Sequence, residues 1–258
     1  MGKFICVVSG KGGTGKTTAT ANIAISMAKL GHETLLIDTD LGLRNMDLAL
    51  GLQDNVLYDV LDVCSGDCKT REAIILNDKY PNLSFLPASQ FKENNTITPA
   101  EMQIVADKVK DNFEYIFIDC PAGLGDIVKS VATVTDMALI VVNPDPFSLR
   151  DADRMAELLS GCGVDEMNLV INRFKKQLVQ NGQMFNLLQV IEKIAVPLIG
   201  AVPESDEILL SVINGVPYAA KNDDSFYTDI AKRITGEKIP ITEIEPKRRG
   251  FWHRKTKA

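Results

Sequence analysis

The stretch "GKGGTGKTT", residues 10–18, decides the fold of this chain. It fills the pattern G-x-x-x-x-G-K-[ST], in which backbone N–H groups turn inward toward phosphate oxygens. An apolar, β-branched run, "KFICVVS", precedes it, and a run with helical period, "KTTATANIAISMAKLG", follows it. A strand, a glycine loop and a helix N-terminus therefore come in the order that a phosphate-binding loop requires.

The residue types in this loop divide the work of binding a nucleotide. Glycines let the backbone turn its donors toward the phosphates, and the ammonium of Lys16 would neutralise the β- and γ-phosphates. The hydroxyl of Thr17 is a Mg²⁺ ligand in this pattern. We therefore predict ATP and Mg²⁺ as cofactors. The loop residues that we assign to nucleotide binding are Gly10, Lys11, Gly12, Gly13, Thr14, Gly15, Lys16, Thr17 and Thr18.

Length and composition favour one cytosolic domain. The chain has 258 residues, of which 45% are hydrophobic and 24% charged, as in ordinary globular proteins. No apolar run approaches the roughly 18 residues of a membrane span, and the first strand begins at once, so we expect no signal peptide. The five cysteines are odd in number, which argues against a disulfide framework.

Apolar runs recur along the chain and alternate with stretches of helical period. One such stretch, "PAEMQIVADKVKDNF", has Thr98 as a candidate N-cap, and another, "LRDADRMAELLSG", is closed by Gly161. Alternation predicts an α/β fold with a doubly wound, mostly parallel sheet and helices on both faces. The predicted strands after the first are "TLLID" (34–38), "LSFLP" (83–87), "YIFID" (115–119), "ALIVV" (138–142), "NLVIN" (168–172) and "LIGAV" (198–202).

Acidic residues end two of the predicted strands. Asp38 ends "TLLID", with Asp40 just beyond it, and Asp119 ends "YIFID". An apolar strand that ends in Asp is the usual second half of a phosphate-loop site, where the carboxylate holds Mg²⁺ directly or through water. Each Asp taken alone could equally cap the following turn. Because the glycine loop is present, we predict Asp119 as the main Mg²⁺ carboxylate.

Several segments together resemble the MinD family, the membrane-associated ATPases that help place the bacterial division site. The resemblance runs over nearly the whole chain. Lys11 is the mark of the wider superfamily of deviant phosphate-loop ATPases, which includes the partition ATPases and the nitrogenase iron protein. The segments that carry the resemblance are "SGKGGTGKTT", "LIDTDLGLRNMDLALGL", "IFIDCPAG" and "FSLRDADR".

The resemblance implies a dimeric ATPase that hydrolyses ATP to ADP and phosphate. In that superfamily two subunits sandwich two ATP molecules, and the lysine at the position of Lys11 reaches the partner's nucleotide as a cation delivered in trans. Lys11, Lys16 and Asp40 are then the catalytic residues, with Asp40 positioning the attacking water. Asp38 supports the Mg²⁺ shell beside Thr17 and Asp119. By residue type alone, Lys11 could instead be a solvated loop lysine.

Two further pairs of residues receive roles by the same resemblance. Asn172 fits recognition of the adenine base, because an amide both donates and accepts. Arg173 would stack on the ring or contact the partner subunit, and either residue could instead cap a loop. Asp151 and Asp153 lie in "SLRDADR", which reads either as the solvated first turn of a helix or as the surface facing the dimer partner, the inhibitor MinC and the activator MinE.

The C-terminal residues 247–258 form a basic tail on the predicted ATPase domain of residues 1–246. Family members end in an amphipathic helix that folds onto the membrane. Here Phe251 and Trp252 are adjacent aromatics, but no apolar stripe follows them at helical spacing. The six lysines and arginines of the tail lie on a chain whose net charge is −6, so an anionic membrane surface is one target and a solvated tail is the alternative.

Two functions therefore compete. The first is a MinD-type ATP switch at the inner face of the cell membrane, with a MinC-like inhibitor and a MinE-type or DivIVA/MinJ-type topological partner. The alternative is a ParA-type or flagellar-number-type ATPase that docks on DNA or on a protein scaffold. Outside the tail the chain is acidic and shows no basic stripe, so we expect no nucleic-acid partner.

Overall fold

A single mixed sheet organises the computed structural model, which describes residues 1–42, 45–52, 55–90, 96–223 and 225–241. The predicted tail, with Phe251 and Trp252, lies outside the described residues. The strands are β1 (Lys3–Val8), β2 (Thr34–Asp38), β3 (Ile75–Leu76), β4 (Leu83–Leu86), β5 (Tyr115–Asp119), β6 (Met137–Val142), β7 (Glu166–Phe174) and β8 (Leu198–Pro203).

Helices connect the strands. Among the described residues, no helix is both long and apolar enough to cross a bilayer. The helices are α1 (Lys16–Lys29), α2 (Met46–Leu50), α3 (Val60–Ser65), α4 (Thr70–Ala73), α5 (Pro99–Val109), α6 (Asp126–Ala132), α7 (Pro146–Gly161), α8 (Lys176–Gln180), α9 (Leu187–Ile194), α10 (Asp206–Ile213), α11 (Tyr218–Lys221) and α12 (Phe226–Ile234).

The sheet order is β3-β4-β2-β5-β1-β6-β7-β8, and only the β3–β4 pair is antiparallel. The chain winds outward from β1 in one direction through β2 and later in the other direction through β6, β7 and β8, which confirms the doubly wound fold. Strand β1 lies between β5 and β6, at the switch point where such folds bind ligands. Asp38 and Asp119 are opposite each other at the ends of β2 and β5.

Helices cover both faces of the sheet, because the strands are apolar on both sides. In β1, Ile5 and Val7 belong to the core that includes α1 and α12, whereas Cys6 and Val8 belong to the core that includes α3, α5, α6, α7 and α9. Side chains alternate between faces along a strand, so a continuous apolar run is what a parallel sheet buried on both faces requires.

All seven predicted strands are confirmed. The structure differs from the prediction at an added edge strand and at the start of one helix. Strand β3 was not predicted, since it has two residues and pairs only at the edge of the sheet. The placement of Asp151 and Asp153 in the first turn of a helix is wrong, because α7 begins at Pro146. The carboxylate of Asp145 caps that helix by accepting hydrogen bonds from two backbone N–H groups of its first turn. The two aspartates therefore lie one turn further on, where the helix dipole has less effect.

The predicted cap of α5 supplies a stability test. The Thr98 hydroxyl accepts from the Glu101 N–H, and the Glu101 carboxylate accepts from the Thr98 N–H at 2.8 Å. We expect Thr98→Ala to lower the free energy of unfolding by about 1 kcal/mol in urea titrations. Thr98→Ser keeps the hydroxyl and is the matched control. Equal stability of the Ala and Ser variants would contradict the role of this cap.

Candidate functional site

The loop between β1 and α1 contains glycines at positions where a side chain would be strained or would overlap a neighbour. Gly13 and Gly15 have φ angles of 77° and 86°, in the left-handed region. A Cβ at Gly15 would overlap the amide nitrogen of Asn172, and a Cβ at Gly10 would lie 2.5 Å from the Cβ of Asp151. The loop therefore packs between the end of β7 and helix α7.

A buried ion pair lies at the start of α1. The Nζ of Lys16 is 2.9 Å from Oδ1 of Asp119, and the two side chains are 6% and 1% exposed. The hydroxyls of Thr17 and Thr20 donate to the two oxygens of the same carboxylate, each at 2.8 Å. Burial is the largest single effect and would lower the pKa of Lys16, but the charge and hydrogen bond of Asp119 and weaker attractions such as that of Asp38 together raise it. Lys16 is therefore cationic at neutral pH.

Two more carboxylates lie at the end of β2. Oδ1 of Asp38 accepts from the Asp40 N–H at 2.9 Å, whereas Oδ2 of Asp38 is buried and has no hydrogen-bond partner among the described residues. Burial, and then repulsion from Asp119, raise the pKa of Asp38 to about 8. Burial also raises the pKa of the half-buried Asp40. The three carboxylates thus all lie near the ammonium of Lys16.

This arrangement fits a divalent cation. In the part of the chain that the structure describes, Oδ2 of Asp38 has no hydrogen-bond partner, and the Thr17 hydroxyl donates to the Asp119 carboxylate. All three are oxygen donors, which Mg²⁺ prefers, and Mg²⁺ commonly takes one or two protein carboxylates together with phosphate and water oxygens. A cation near Asp38 would favour its ionised form, which burial now disfavours.

The other lysine of the loop lies near the surface. The Nζ of Lys11 is 3.4 Å from Oδ1 of Asp145, and the two side chains are 36% and 39% exposed. Exposed ion pairs contribute about 0–1 kcal/mol, because water and salt screen them. Lys11 can therefore leave Asp145 at little cost, whereas Lys16 is held by burial.

The end of β7 contacts the loop that follows β1, although β6 lies between these two strands in the sheet. The Nδ2 of Asn172 donates to the backbone oxygen of Thr14 at 2.7 Å, and both residues are buried. The next residue, Arg173, is exposed and has a φ of 55°, which is rare outside glycine. Backbone strain of this kind concentrates at functional sites.

The fold brings most of the predicted site residues to the carboxyl edge of the sheet. Asp151 is partly buried against Gly10, whereas Asp153 is exposed further along α7. Neither Phe251 nor Trp252 is described. The residues gathered at this edge are Gly10 to Thr18, Asp38, Asp40, Asp119, Asn172 and Arg173.

Three residues of the site were not predicted. Thr20 donates to Asp119, and it lies four residues after Lys16 on the same side of α1, a spacing that could have revealed it. Thr39 donates its hydroxyl to the backbone oxygen of Asp119 at 2.8 Å. Asp145 contacts Lys11, and its position before a proline marks a helix N-cap. No local pattern indicates Thr39, since its partner is on a neighbouring strand.

The raised pKa of Asp38 predicts how pH changes the stability of the nucleotide-free protein. The folded state keeps a proton on Asp38 that an unfolded chain, with a pKa of 3.8, releases, so this contribution to stability is lost as the pH rises from 3.8 towards 8. Asp38→Asn is neutral at every pH. We expect it to be more stable than the wild type, by at least about 1 kcal/mol at pH 8, with a gap that narrows towards pH 4.

Thermal unfolding at several pH values measures this gap. Asp153→Asn, at an exposed position on α7, is the matched control and should follow the wild type. A constant difference between Asp38→Asn and the wild type from pH 4 to pH 8 would contradict the assignment.

The chain is similar over most of its length to known proteins. A family profile described as "AAA domain" matches residues 2–179. The septum site-determining protein MinD of Synechocystis sp. is 38% identical over 248 residues, which cover 95% of this chain and 93% of that relative.

Solved structures of MinD proteins are also similar to this chain. The MinC:MinD cell division protein complex of Aquifex aeolicus is similar with a TM-score of 0.86 and 33% identity, covering 94% of this chain and all of that one. MinD of Pyrococcus horikoshii complexed with Mg-ADP is similar with a TM-score of 0.80 and 29% identity, covering 91% of this chain and 96% of that one. The chain therefore belongs to the MinD family of septum site-determining P-loop ATPases.

Proposed function

We propose that this protein is an ATP-hydrolysing switch that dimerises with ATP, attaches to the membrane and positions the division site by recruiting a MinC-type inhibitor. The observation that carries this proposal is the buried pair of Lys16 and Asp119 beneath a glycine loop, with Thr17 on the second carboxylate oxygen. Binding of a magnesium nucleotide requires an ammonium for the phosphates and a hydroxyl and a carboxylate for Mg²⁺.

The nucleotide site uses the residues already at the sheet edge. Lys16 neutralises phosphate charge, the loop N–H groups donate to phosphate oxygens, and Arg173 contacts the base or the partner subunit. Thr17, Asp38 and Asp119 hold Mg²⁺, which when bound neutralises the charge that develops on the phosphates. Asp40 orients the attacking water by its position at the end of β2. The P. horikoshii relative complexed with Mg-ADP supports this assignment.

Dimerisation completes the site. Lys11 leaves its weak pair with Asp145 and reaches the nucleotide of a second copy, where it stabilises negative charge on the phosphates. In the dimer, each copy supplies its Lys11 to the nucleotide of the other copy. A monomer receives no such lysine, so it binds ATP but hydrolyses it slowly. Hydrolysis therefore depends on protein concentration. Asp151 and the exposed Asp153 on α7 lie at the margin of this dimer face.

Lys11→Ala separates binding from hydrolysis. We expect the variant to bind Mg-ATP with wild-type affinity, to stay monomeric, and to lose the concentration-dependent ATPase rate by at least about a hundredfold. Steady-state ATPase assays and light scattering with ATP measure these properties. Lys3→Ala is the matched control, because Lys3 is also partly exposed and paired, with Glu166, but lies at the opposite edge of the sheet. If Lys11→Ala hydrolysed ATP at the parental rate, the role in trans would be wrong.

Membrane attachment uses the basic tail. The guanidinium of Arg233 donates to the backbone oxygens of Ile199, Ile239 and Pro240 at 2.9–3.1 Å. These bonds hold residues 239 and 240, which shortly precede the tail, beside β8. Basic residues attract the tail to anionic lipid, and Phe251 and Trp252 insert at the interface. One short tail binds weakly, and the two tails of a dimer bind more strongly by avidity. ATP thereby controls attachment.

The proposed ATP-controlled attachment to the membrane implies protein partners. The A. aeolicus relative is a MinC:MinD complex, which supports a MinC-type inhibitor as the protein recruited to the membrane. A topological partner of the MinE type or of the DivIVA/MinJ type would restrict the dimer to part of the membrane. The exposed side of α7 that carries Asp153 is the surface that we assign to these partners. The protein then alternates between the cytoplasm and the inner face of the cell membrane.

Co-sedimentation with vesicles tests the membrane step. We expect pelleting with anionic vesicles in ATP, at least several-fold less in ADP, and none with neutral vesicles. A chain that ends at Pro246 should dimerise with ATP and stay in the supernatant. The double substitution Phe251→Ser and Trp252→Ser keeps the tail charge and should reduce pelleting. Equal pelleting of the full-length and shortened chains would contradict the role of the tail.

A further inference from the structure

We infer that the basic tail, residues 247–258, binds helix α10 of the same chain when it is not on a membrane, and that this contact lowers the affinity of the tail for lipid. The inference rests on the proposed function, since it concerns how membrane attachment is controlled. The surface that receives the tail is called the α10 patch, and it consists of Leu209, Leu210, Val212 and Ile213.

The first observation is the exposure of the α10 patch. Its four aliphatic side chains are 53–68% exposed, and all of them lie within residues 209–213. Leu209 and Ile213 are four residues apart, and Leu210 and Ile213 are three apart, so these side chains share one face of the helix. Single exposed aliphatic residues are ordinary, but a contiguous apolar patch marks a surface that contacts a partner.

The other side of α10 holds the patch outward. Ile208 packs against the core that includes α1 and α12. The Ser205 hydroxyl accepts from the Glu207 N–H and caps the start of the helix. Because the Ile208 side of α10 faces the core, the α10 patch faces away from it.

The second observation is charge. Residues 204–220 contain Glu204, Asp206 and Glu207 and no lysine or arginine. Glu204 pairs with Lys175 at 3.2 Å, whereas Asp206 and Glu207 are exposed at the start of α10. The tail has the opposite character, since its two adjacent aromatics are flanked by six lysines and arginines. An apolar patch beside carboxylates is therefore complementary to the tail in both polarity and charge.

The third observation is the place from which the tail leaves the domain. The guanidinium of Arg233 donates to the backbone oxygens of both Ile199 and Pro240, so these two residues are close together. From Ile199 to Asp206, at the start of α10, the chain can span at most about 25 Å. From Pro240 to Phe251 it can span up to about 40 Å. The aromatics of the tail can therefore reach α10 without full extension of the residues between.

Binding of the tail to α10 makes membrane attachment depend more strongly on dimerisation. A bound tail must leave α10 before its aromatics insert into lipid, so the apparent affinity of each tail for the membrane falls with the fraction that is bound to α10. A monomer has one tail to oppose this competition, whereas a dimer has two tails and gains avidity. The α10 patch therefore keeps the monomer off the membrane.

The fluorescence of Trp252 tests the inference directly, because it is the single tryptophan of the chain. Emission and acrylamide quenching are measured on the full chain without nucleotide or lipid, and a synthetic peptide of residues 242–258 is the unbound reference. We expect the full chain to emit at a shorter wavelength and to be quenched severalfold less than the peptide. In the double variant Leu210→Gln and Ile213→Gln, both properties should approach those of the peptide. A wild-type chain that matches the peptide would overturn the inference.

Two controls make the fluorescence specific. Leu188→Gln replaces an exposed leucine of another helix, α9, and should leave the emission and quenching of the wild type unchanged. An equal effect of Leu188→Gln and of the α10 double variant would count against the patch. Dilution of the wild type should not change the signal; a signal that falls on dilution would mean that the tail binds a second copy, and it would overturn the inference.

Vesicle pelleting measures the consequence for membrane attachment. With anionic vesicles and ADP, the α10 double variant should pellet severalfold more than the wild type, and the same variant ending at Pro246 should stay in the supernatant. Equal pelleting of the wild type and the double variant in ADP would refute the effect on lipid affinity. Because the fluorescence contains neither lipid nor nucleotide, it decides the contact with α10 even where vesicle binding, and with it the proposed membrane attachment, fails.

Discussion

The buried ion pair between Lys16 and Asp119 is the interaction on which the rest of the site depends. It joins the first turn of α1 to the end of β5, and the hydroxyls of Thr17 and Thr20 complete the hydrogen bonds of the carboxylate. Removing one partner of such a pair leaves an uncompensated buried charge, which destabilises proteins by about 3–5 kcal/mol. The first turn of α1, which follows the glycine loop, is thus fixed to the end of β5.

The site is less stable than a hydrophobic core of the same size would be. Asp38 is buried beside Asp119 and has a pKa of about 8, and one of its oxygens has no partner within residues 1–42, 45–52, 55–90, 96–223 and 225–241. Such an arrangement costs free energy in the nucleotide-free protein and becomes favourable when a cation neutralises it. Binding of Mg²⁺ and nucleotide at this site would therefore add to the stability of the fold.

The two lysines of the loop show how burial changes the role of one residue type. Lys16 is 6% exposed and remains in its place, whereas Lys11 is 36% exposed and forms a weak pair with Asp145. A buried cation organises the site of its own chain, and an exposed cation is available to a second chain. The proposed role of Lys11 in a dimer requires that its side chain exchange its contact with Asp145 for one with the second chain.

The sequence by itself determined the loop, the seven principal strands, the α5 cap and the acidic strand ends, because each is a local pattern of residue types within a few positions. Only the tertiary structure decided which groups meet. The contacts of Asn172 with Thr14, of Thr39 with Asp119 and of Lys11 with Asp145 join residues that are 80 to 158 positions apart. Their distances are set by the order of strands in the sheet, which no local pattern contains.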